Sequence, residues 1–247
     1  MVLRPIFVSR IVNPTYLTYF FVSELECHSD LQSFSMKEFY RRHLPHWQPP
    51  GAVFFVTFRL KNSLPYEAIK ALREERELDE HRYFERWEEF LDKAEFGPRW
   101  LAQPEIADIV KEALHYRDGR VFDLHAFSIL SNHVHVVLEP LDSSEWHYDE
   151  SSKSGWQPDQ LSESEYHSDL PLHKIMQSLK RHTARQANII LGREGAFWQD
   201  ECYDHVIRDQ EEHIRIIHYV LENPVKAGLA SKWEEWTGTY CKPEIIP

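Results

Sequence analysis

Three cysteines in 247 residues, Cys27, Cys202 and Cys241, are too few and too scattered for a disulfide framework. They form no CxxC pair, so a cysteine zinc site is not expected either. The pattern fits a reducing compartment, and a cytoplasmic protein is the expectation. Glycine is also scarce, at eight residues, and no GxxxxGK loop is present to cradle a triphosphate. No run of about 18 uncharged apolar residues exists, so no membrane-spanning helix is expected. The apolar stretch YLTYFFV (16–22) follows Arg10 and Pro14 and is too short for a span. No small-residue cleavage site follows it, so a secretory leader is not expected. Net positive charge is lacking as well: the formal balance is −12.

That balance is uneven along the chain. Residues 141–171 carry eight acidic side chains against one lysine, and residues 67–95 carry eleven acidic against six basic. Between residues 172 and 193, by contrast, stand Lys174, Lys180, Arg181, Arg185 and Arg193 with no acid. Residues 37–61 hold Lys37, Arg41, Arg42, Arg59 and Lys61 against Glu38. A polyanionic partner needs a basic face rather than a basic average, so the global charge does not exclude nucleic acid.

The hydrophobic content of 42% and aromatic content of 13% are globular values. Residues 1–35 show no clear period and read as an N-terminal extension, with Met36 opening the orderly part of the chain. AVFFVTFRL (52–60) follows a Pro-Pro-Gly break and reads as a strand. Residues 66–96 read as a long charged helix with a solvated face, broken near Gly97-Pro98. Residues 104–119 form a second helix, with Pro at its start and Gly after its end. VFDLHAFSIL (121–130) and HVHVVLEP (133–140) form a hairpin about Ser131-Asn132. The acidic, Ser- and Pro-rich 141–171 reads as a disordered insertion or mobile loop.

Residues 172–192 form a helix with Ile175, Met176, Leu179 and Ala187 inward and the basic positions outward. A short strand over 203–209 and a helix from 211, stopped by Pro224, complete the order β, α, β, β, α, β, α. The expected fold class is α+β: a ferredoxin-like βαββαβ core, an antiparallel sheet with helices on one face, and a further C-terminal helix that bears Tyr219.

Within this frame SNHVHVVLEP (131–140) stands out. Alternation on a strand puts His133 and His135 on one face, where both imidazoles can meet one metal ion. Alone, the pair reads more readily as two histidines on a polar face. In the last helix Tyr219 and Asn223 are four apart and lie on one face. Asn223 offers a hard carbonyl oxygen suited to Mg²⁺ or Mn²⁺, and Tyr219 offers a phenol able to act as a nucleophile. By helical spacing alone Tyr219 is also an ordinary core residue.

The ordered set NHVHVV, SLKRHTARQAN, FWQDECYDHVIRD and HYVLENPVKAGL, with the opening YRRHLPHWQPPGAVFFVTFRL, resembles the REP-associated tyrosine transposases. These belong to the single-tyrosine superfamily named for its histidine-hydrophobic-histidine (HUH) motif. The resemblance covers about residues 36–240, apart from the acidic insertion, which would make 36–240 the transposase domain and 241–247 a tail. It implies His133, His135 and Asn223 as metal ligands for Mg²⁺ or Mn²⁺ and Tyr219 as the nucleophile. It further implies cleavage of single-stranded DNA beside a palindromic hairpin through a 5′-phosphotyrosine, with cytoplasmic, nucleoid-associated localisation and no membrane partner. Monomer and dimer both stay open. His205 falls in a motif typical of the family, without an assigned role.

For DNA contact the expected residues are Lys174, Lys180, Arg181, Arg185, Arg41 and Arg42 along the phosphates, with Trp198 and Gln199 supporting the site or touching a base. Trp47, Phe54 and Trp198 are candidates for stacking on unpaired bases, with core packing the plainer reading for each. Two competing readings remain. One is a hairpin-binding or regulatory protein derived from such a transposase but without catalysis. The other is a hydrolase using zinc-activated water, which needs a nearby carboxylate. Glu139 shares the face of His135 but stands four residues along the strand.

Overall fold

Alternating, β-branched segments on both sides of the Ser131-Asn132 turn pair as predicted, and a sheet assembles around them. The computed structural model describes residues 39–41, 45–47, 51–65, 67–70, 80–93, 96–141 and 172–246. The expectations for residues 1–35, for Arg42 and for most of the acidic insertion therefore lie outside the described residues. Strands β1 (Phe39–Arg41) and β2 (Pro45–Trp47) pair as a small antiparallel ribbon that the sequence did not announce. The main sheet contains β3 (Phe54–Arg59), β4 (Phe122–Ile129), β5 (His133–Pro140), β6 (Tyr203–Val206) and β7 (Thr239–Cys241). Its order is β6-β3-β5-β4-β7, and every neighbouring pair is antiparallel.

Among the described residues the sheet is accompanied by the helices α1 (Glu80–Lys93), α2 (Pro104–Arg117), α3 (Leu172–Ile190) and α4 (Gln210–Lys226). The predicted β, α, β, β, α, β, α is met by β3, α2, β4, β5, α3, β6 and α4; α1 is a further helix between β3 and α2, and β7 is an addition at the outer edge of β4. Pro104 opens α2, where a missing N–H costs nothing. Gly119, at φ 68°, takes the chain out of it. Asp209 caps α4 by accepting from the Glu212 backbone N–H. Among the described residues no helix is long and apolar enough to cross a membrane.

Strand periodicity sorts the core into two layers. Phe54, Val56 and Phe58 of β3 and Val134, Val136 and Leu138 of β5 face one side. There α2 adds Ile106, Val110 and Leu114, and α3 adds Ile175, Met176 and Leu179, so the two crossover helices share a face as expected. The opposite layer holds Phe55, Ala126 and Val137 from the sheet, Trp87 and Leu91 from α1, and Ile216, Ile217, Val220 and Leu221 from α4. Thus α1 joins the tyrosine-bearing helix on the second face.

The register slips between Leu124 and Ala126, so His125 is an extra residue in β4. The bulge leaves Leu124 and Phe127 in the first layer while Ala126 enters the second. Pro224 does not stop α4, which runs on to Lys226. The proline forfeits one helical bond only, because it sits in the last turn. That turn is closed by Ala227 N–H to Asn223 O at 2.9 Å and Leu229 N–H to Pro224 O at 2.8 Å. The extra turn brings Lys226 over the Tyr219 ring, 4.7 Å from its centre.

Candidate active site

On the second face of the sheet the apolar layer is interrupted by a polar island. His133 and His135 project into it from β5 and are fully buried, with Val134 turned to the opposite core. Their Nε2 atoms face each other at 3.0 Å. Each ring is held at its other nitrogen. His133 Nδ1 lies 2.7 Å from Asn132 Oδ1, and the Asn132 amide donates to the Leu91 carbonyl at 3.1 Å. That orientation of Asn132 makes its oxygen the acceptor, so His133 carries its proton on Nδ1. His135 Nδ1 lies 2.8 Å from the Thr57 hydroxyl, which also hydrogen-bonds to Glu88. A hydroxyl can donate or accept, so Thr57 holds the His135 ring in either tautomer. The His133 Nε2 lone pair is bare and directed at His135 Nε2.

Helix α1 supplies what sequence reasoning missed. Glu88 and Asp92, one turn apart, point into the island rather than to solvent, which corrects the reading of this charged helix as a solvated face. Glu88 Oε2 is 3.3 Å from His135 Nε2, and Asp92 Oδ1 is 3.7 Å from His133 Nε2. One ligand atom from each of Glu88, Asp92, His133 and His135 falls within 4.8 Å of the others. The signal was there in EEFLD, where Glu88 and Asp92 repeat the i, i+4 spacing of the core pair Trp87 and Leu91. Thr57 is legible only once β3 and β5 are set in register, opposite His135.

The sequence-selected residues of α4 arrive at the same place. The half-buried Tyr219 donates its hydroxyl proton to Glu88 Oε2 at 2.6 Å. Its ring packs edge-on against Phe55 and His135. Asn223 is fully buried; its amide donates to the Tyr219 backbone carbonyl at 3.0 Å, and its Oδ1 has no donor among the described residues. Among the same residues Glu88 Oε1 and Asp92 Oδ1 lack a donor too.

Burial shapes the protonation of the whole cluster. It pushes Glu88 well above the usual carboxylate range, with the neighbouring Asp92 adding to the effect. Asp92 is pushed up to about 6 by burial, against the opposing pull of Lys226. His133 falls to about 3 through burial. His135 falls well below the imidazole range through burial and then His133. Tyr219 rises well above its ordinary value through burial and the Glu88 carboxylate, while a hydrogen bond from Asn223 works the other way. Lys226 is lowered by burial and held up by Asp92. Uncharged imidazoles with bare nitrogens, and buried oxygens without donors, are the donor set a divalent cation takes. The 3.0 Å gap between the nitrogens is within the span of two ligands each about 2.0–2.1 Å from one ion.

The other predicted positions divide. Lys174 and Arg181 are exposed on the outer face of α3, and Arg185 follows one turn on, also exposed. Lys180 is not part of that face. Its ammonium donates to the carbonyls of Gln199 at 2.5 Å and Asp200 at 2.8 Å, tying the 199–202 loop to α3. Trp198 is a core residue, the plainer of its two readings: it is buried, packs on Phe58 and Phe197, and donates its indole N–H to Thr183 at 2.8 Å. Gln199 is half-buried, and its backbone N–H bonds to Arg59 O. Phe54 lies in the core, as the plainer reading had it. Arg41 is in β1, and Trp47 ends β2.

His205 gains a role. It sits on β6 and pairs with Glu212 of α4 at 3.0 Å, joining strand to helix. Burial alone would raise Glu212, but His205 and the Arg208 N–H hold it below the usual range. Glu139 remains on the strand beyond the site, paired in register with Asp123.

A solved structure of a REP-associated tyrosine transposase bound to a REP hairpin is similar to this chain at 17% identity. The match covers 81% of this chain and 80% of that one, with a TM-score of 0.43. No family model and no curated protein matches the sequence. At that degree of likeness, residue roles have to come from this chain's own geometry.

Proposed function

We propose that the protein is a metal-dependent transesterase of single-stranded DNA, with Tyr219 as nucleophile. The observation that carries this reading is the hydrogen bond from the Tyr219 hydroxyl to Glu88, inside the cluster that includes the His133–His135 pair. A phenol in that position is already oriented and already has an acceptor for its proton. His133, His135 and Asn223 would hold Mg²⁺ or Mn²⁺. When bound, the cation supplies charge that offsets what develops on the scissile phosphate and helps to orient that group.

The remaining steps belong to the chain. Glu88 Oε2 takes the proton as Tyr219 Oη forms its bond to phosphorus. The bond from phosphorus to the 3′ oxygen breaks, and that oxygen leaves as a 3′-hydroxyl after taking up a proton. The product is a 5′-phosphotyrosine. Attack by a second 3′-hydroxyl on the same phosphorus reverses the exchange and joins strands, returning a proton to Tyr219. The phosphodiester bond is exchanged rather than hydrolysed, so no triphosphate is required. The aromatic wall of Phe55 limits the rotation of the Tyr219 ring. The exposed cations of α3 provide a surface for DNA phosphates, and a palindromic hairpin is the substrate we favour.

The test is a denaturing gel of protein, Mn²⁺ and labelled hairpin DNA with a single-stranded flank. Wild type is expected to form a covalent adduct that Tyr219→Phe does not. Absence of adduct in wild type, or its persistence in Tyr219→Phe, refutes the assignment. Glu88 and Asp92 also favour a second reading, since they supply the carboxylate that Glu139 could not. A hydrolase using metal-activated water would cut the same DNA with no adduct and with Tyr219→Phe still active.

A further inference from the structure

We infer that helix α1 supplies the carboxylate half of the metal centre: Glu88 and Asp92 ligate the cation together with His133 and His135, and Glu88 is shared between the cation and Tyr219. This inference rests on the metal-centre part of the proposed function and replaces a ligand set of two histidines and one amide with a larger one.

Geometry is the first support. The four ligand atoms lie within 4.8 Å of one another and come from two elements that pack together independently of any ion. Asn132 ties β5 to the Leu91 carbonyl of α1, while Trp87 and Leu91 bury themselves in the second core layer. The i, i+4 spacing of Glu88 and Asp92 then stacks both carboxylates on one side of the helix. Charge is the second support. Two uncharged imidazoles contribute nothing against a divalent ion, whereas two carboxylates balance it, and hard cations of this kind prefer oxygen ligands.

Unsatisfied atoms are the third. Buried carboxylate oxygens are ordinarily hydrogen-bonded. Glu88 is 3% exposed, yet its Oε1 has no donor among the described residues, and neither has Asp92 Oδ1. Lys226, on the neighbouring helix, lies over the Tyr219 ring. Glu88 Oε2 is also the atom that holds the Tyr219 hydroxyl, so the cation and the nucleophile draw on one carboxylate.

The experiment uses the full chain and Mn²⁺ alone, with binding followed by electron paramagnetic resonance. Glu88→Gln and Asp92→Asn keep side-chain shape and remove charge, and each is expected to weaken Mn²⁺ at least about tenfold. Asn223→Ala is expected to weaken it less than either. An infrared difference spectrum of wild type, with Mn²⁺ minus without, is expected to show perturbed carboxylate stretches. That spectrum decides the matter even where a variant fails to fold. Wild-type affinity in both isosteric variants, no carboxylate signal, or no Mn²⁺ binding by wild type overturns the inference. The DNA adduct is scored separately. Adduct formation with silent carboxylates overturns this ligand set and leaves the transesterase standing. Carboxylate-dependent binding without adduct supports the ligand set and refutes the transesterase.

Discussion

Replacing Asn132 by alanine removes two buried hydrogen bonds at once. The residue is fully buried between β5 and α1. Its amide satisfies the Leu91 carbonyl at 3.1 Å, and its oxygen accepts from His133 Nδ1 at 2.7 Å. Alanine leaves a carbonyl and an imidazole N–H without partners in an apolar layer. Each such loss costs about 1–3 kcal/mol, so the expected destabilisation is about 2–6 kcal/mol. Set against a typical domain stability of about 5–15 kcal/mol, the change is large enough to read from the midpoint of urea unfolding. The eight tryptophans provide the fluorescence signal.

A second variant separates the two bonds. Asn132→Asp keeps an oxygen for His133 but presents another oxygen, in place of N–H, to the Leu91 carbonyl. It should therefore lose stability as alanine does while preserving the ring orientation that metal binding needs. Losing the partner that orients a ligating histidine costs about 10–100-fold in metal affinity. Asn132→Ala is expected to show that loss in an Mn²⁺ titration, and Asn132→Asp to stay near wild type. Equal affinities in the two variants would mean that Asn132 does not set the His133 tautomer. An unfolding midpoint unchanged in Asn132→Ala would mean that neither bond matters to the fold.

The division of the α3 cations makes a paired prediction. Lys174→Ala and Arg181→Ala should each weaken hairpin binding and lower the salt slope of log K by about one, without changing stability. Lys180→Met should instead lower stability by about 1–3 kcal/mol, because two carbonyls of the 199–202 loop lose their donor; a Lys180 variant that alters only the salt slope contradicts this assignment. A pH prediction concerns His125 at the bulge, whose Nδ1 meets His213 Nε2 of α4 at 2.9 Å. His125 is lowered by burial and then by His213, and His213 is lowered by burial. Both rings take a proton more readily unfolded, so their contribution is present above about pH 6.5 and lost as pH falls toward the lowered folded values. Urea midpoints at pH 7.5 and 5 should differ less in His213→Asn than in wild type, and an identical pH slope would sink the idea.

How much of this was legible in the sequence depended on periodicity. Val134, Val136 and Leu138 against His133 and His135 form an unambiguous period of two, so β5 and the shared direction of the imidazoles were readable. Pro104 and Gly119 bounded α2 for reasons of backbone chemistry. Helical spacing put Tyr219 and Asn223 on one face but left Tyr219 equally an ordinary core residue; only the resemblance to the transposase family implied a role for either. The misplaced residues failed for different physical reasons. Lys180 looks like its basic neighbours, but it sits where α3 turns from solvent toward the 199–202 loop, and only that loop's carbonyls identify its role. Trp198, by contrast, lies beside Phe197 in a segment without clear period, where an aromatic can be platform or core, and the plainer reading of core is the one it meets. Pro224 broke the predicted helix too early because a proline in the final turn removes a single bond. The strands β1, β2 and β7 have three residues each, too few for alternation to register.

Glu88 and Asp92 escaped for a reason of their own. In a segment crowded with acids, water is the expected partner of each, and nothing local singles out two of them. Their environment is made by residues far along the chain: Thr57 from β3, the histidines from β5 and Tyr219 from α4. Around them stand Phe55, Val137, Trp87, Leu91 and Val220, an apolar layer in which each polar group costs free energy unless paired. Apolar side chains of similar volume would fill the same space without that cost. Glu88 Oε1, Asp92 Oδ1 and Asn223 Oδ1, without donors among the described residues and beside two imidazole nitrogens aimed at each other, do not stabilise this layer. An arrangement that stability alone disfavours, and that four separate segments converge to build, has its rationale in what it can bind.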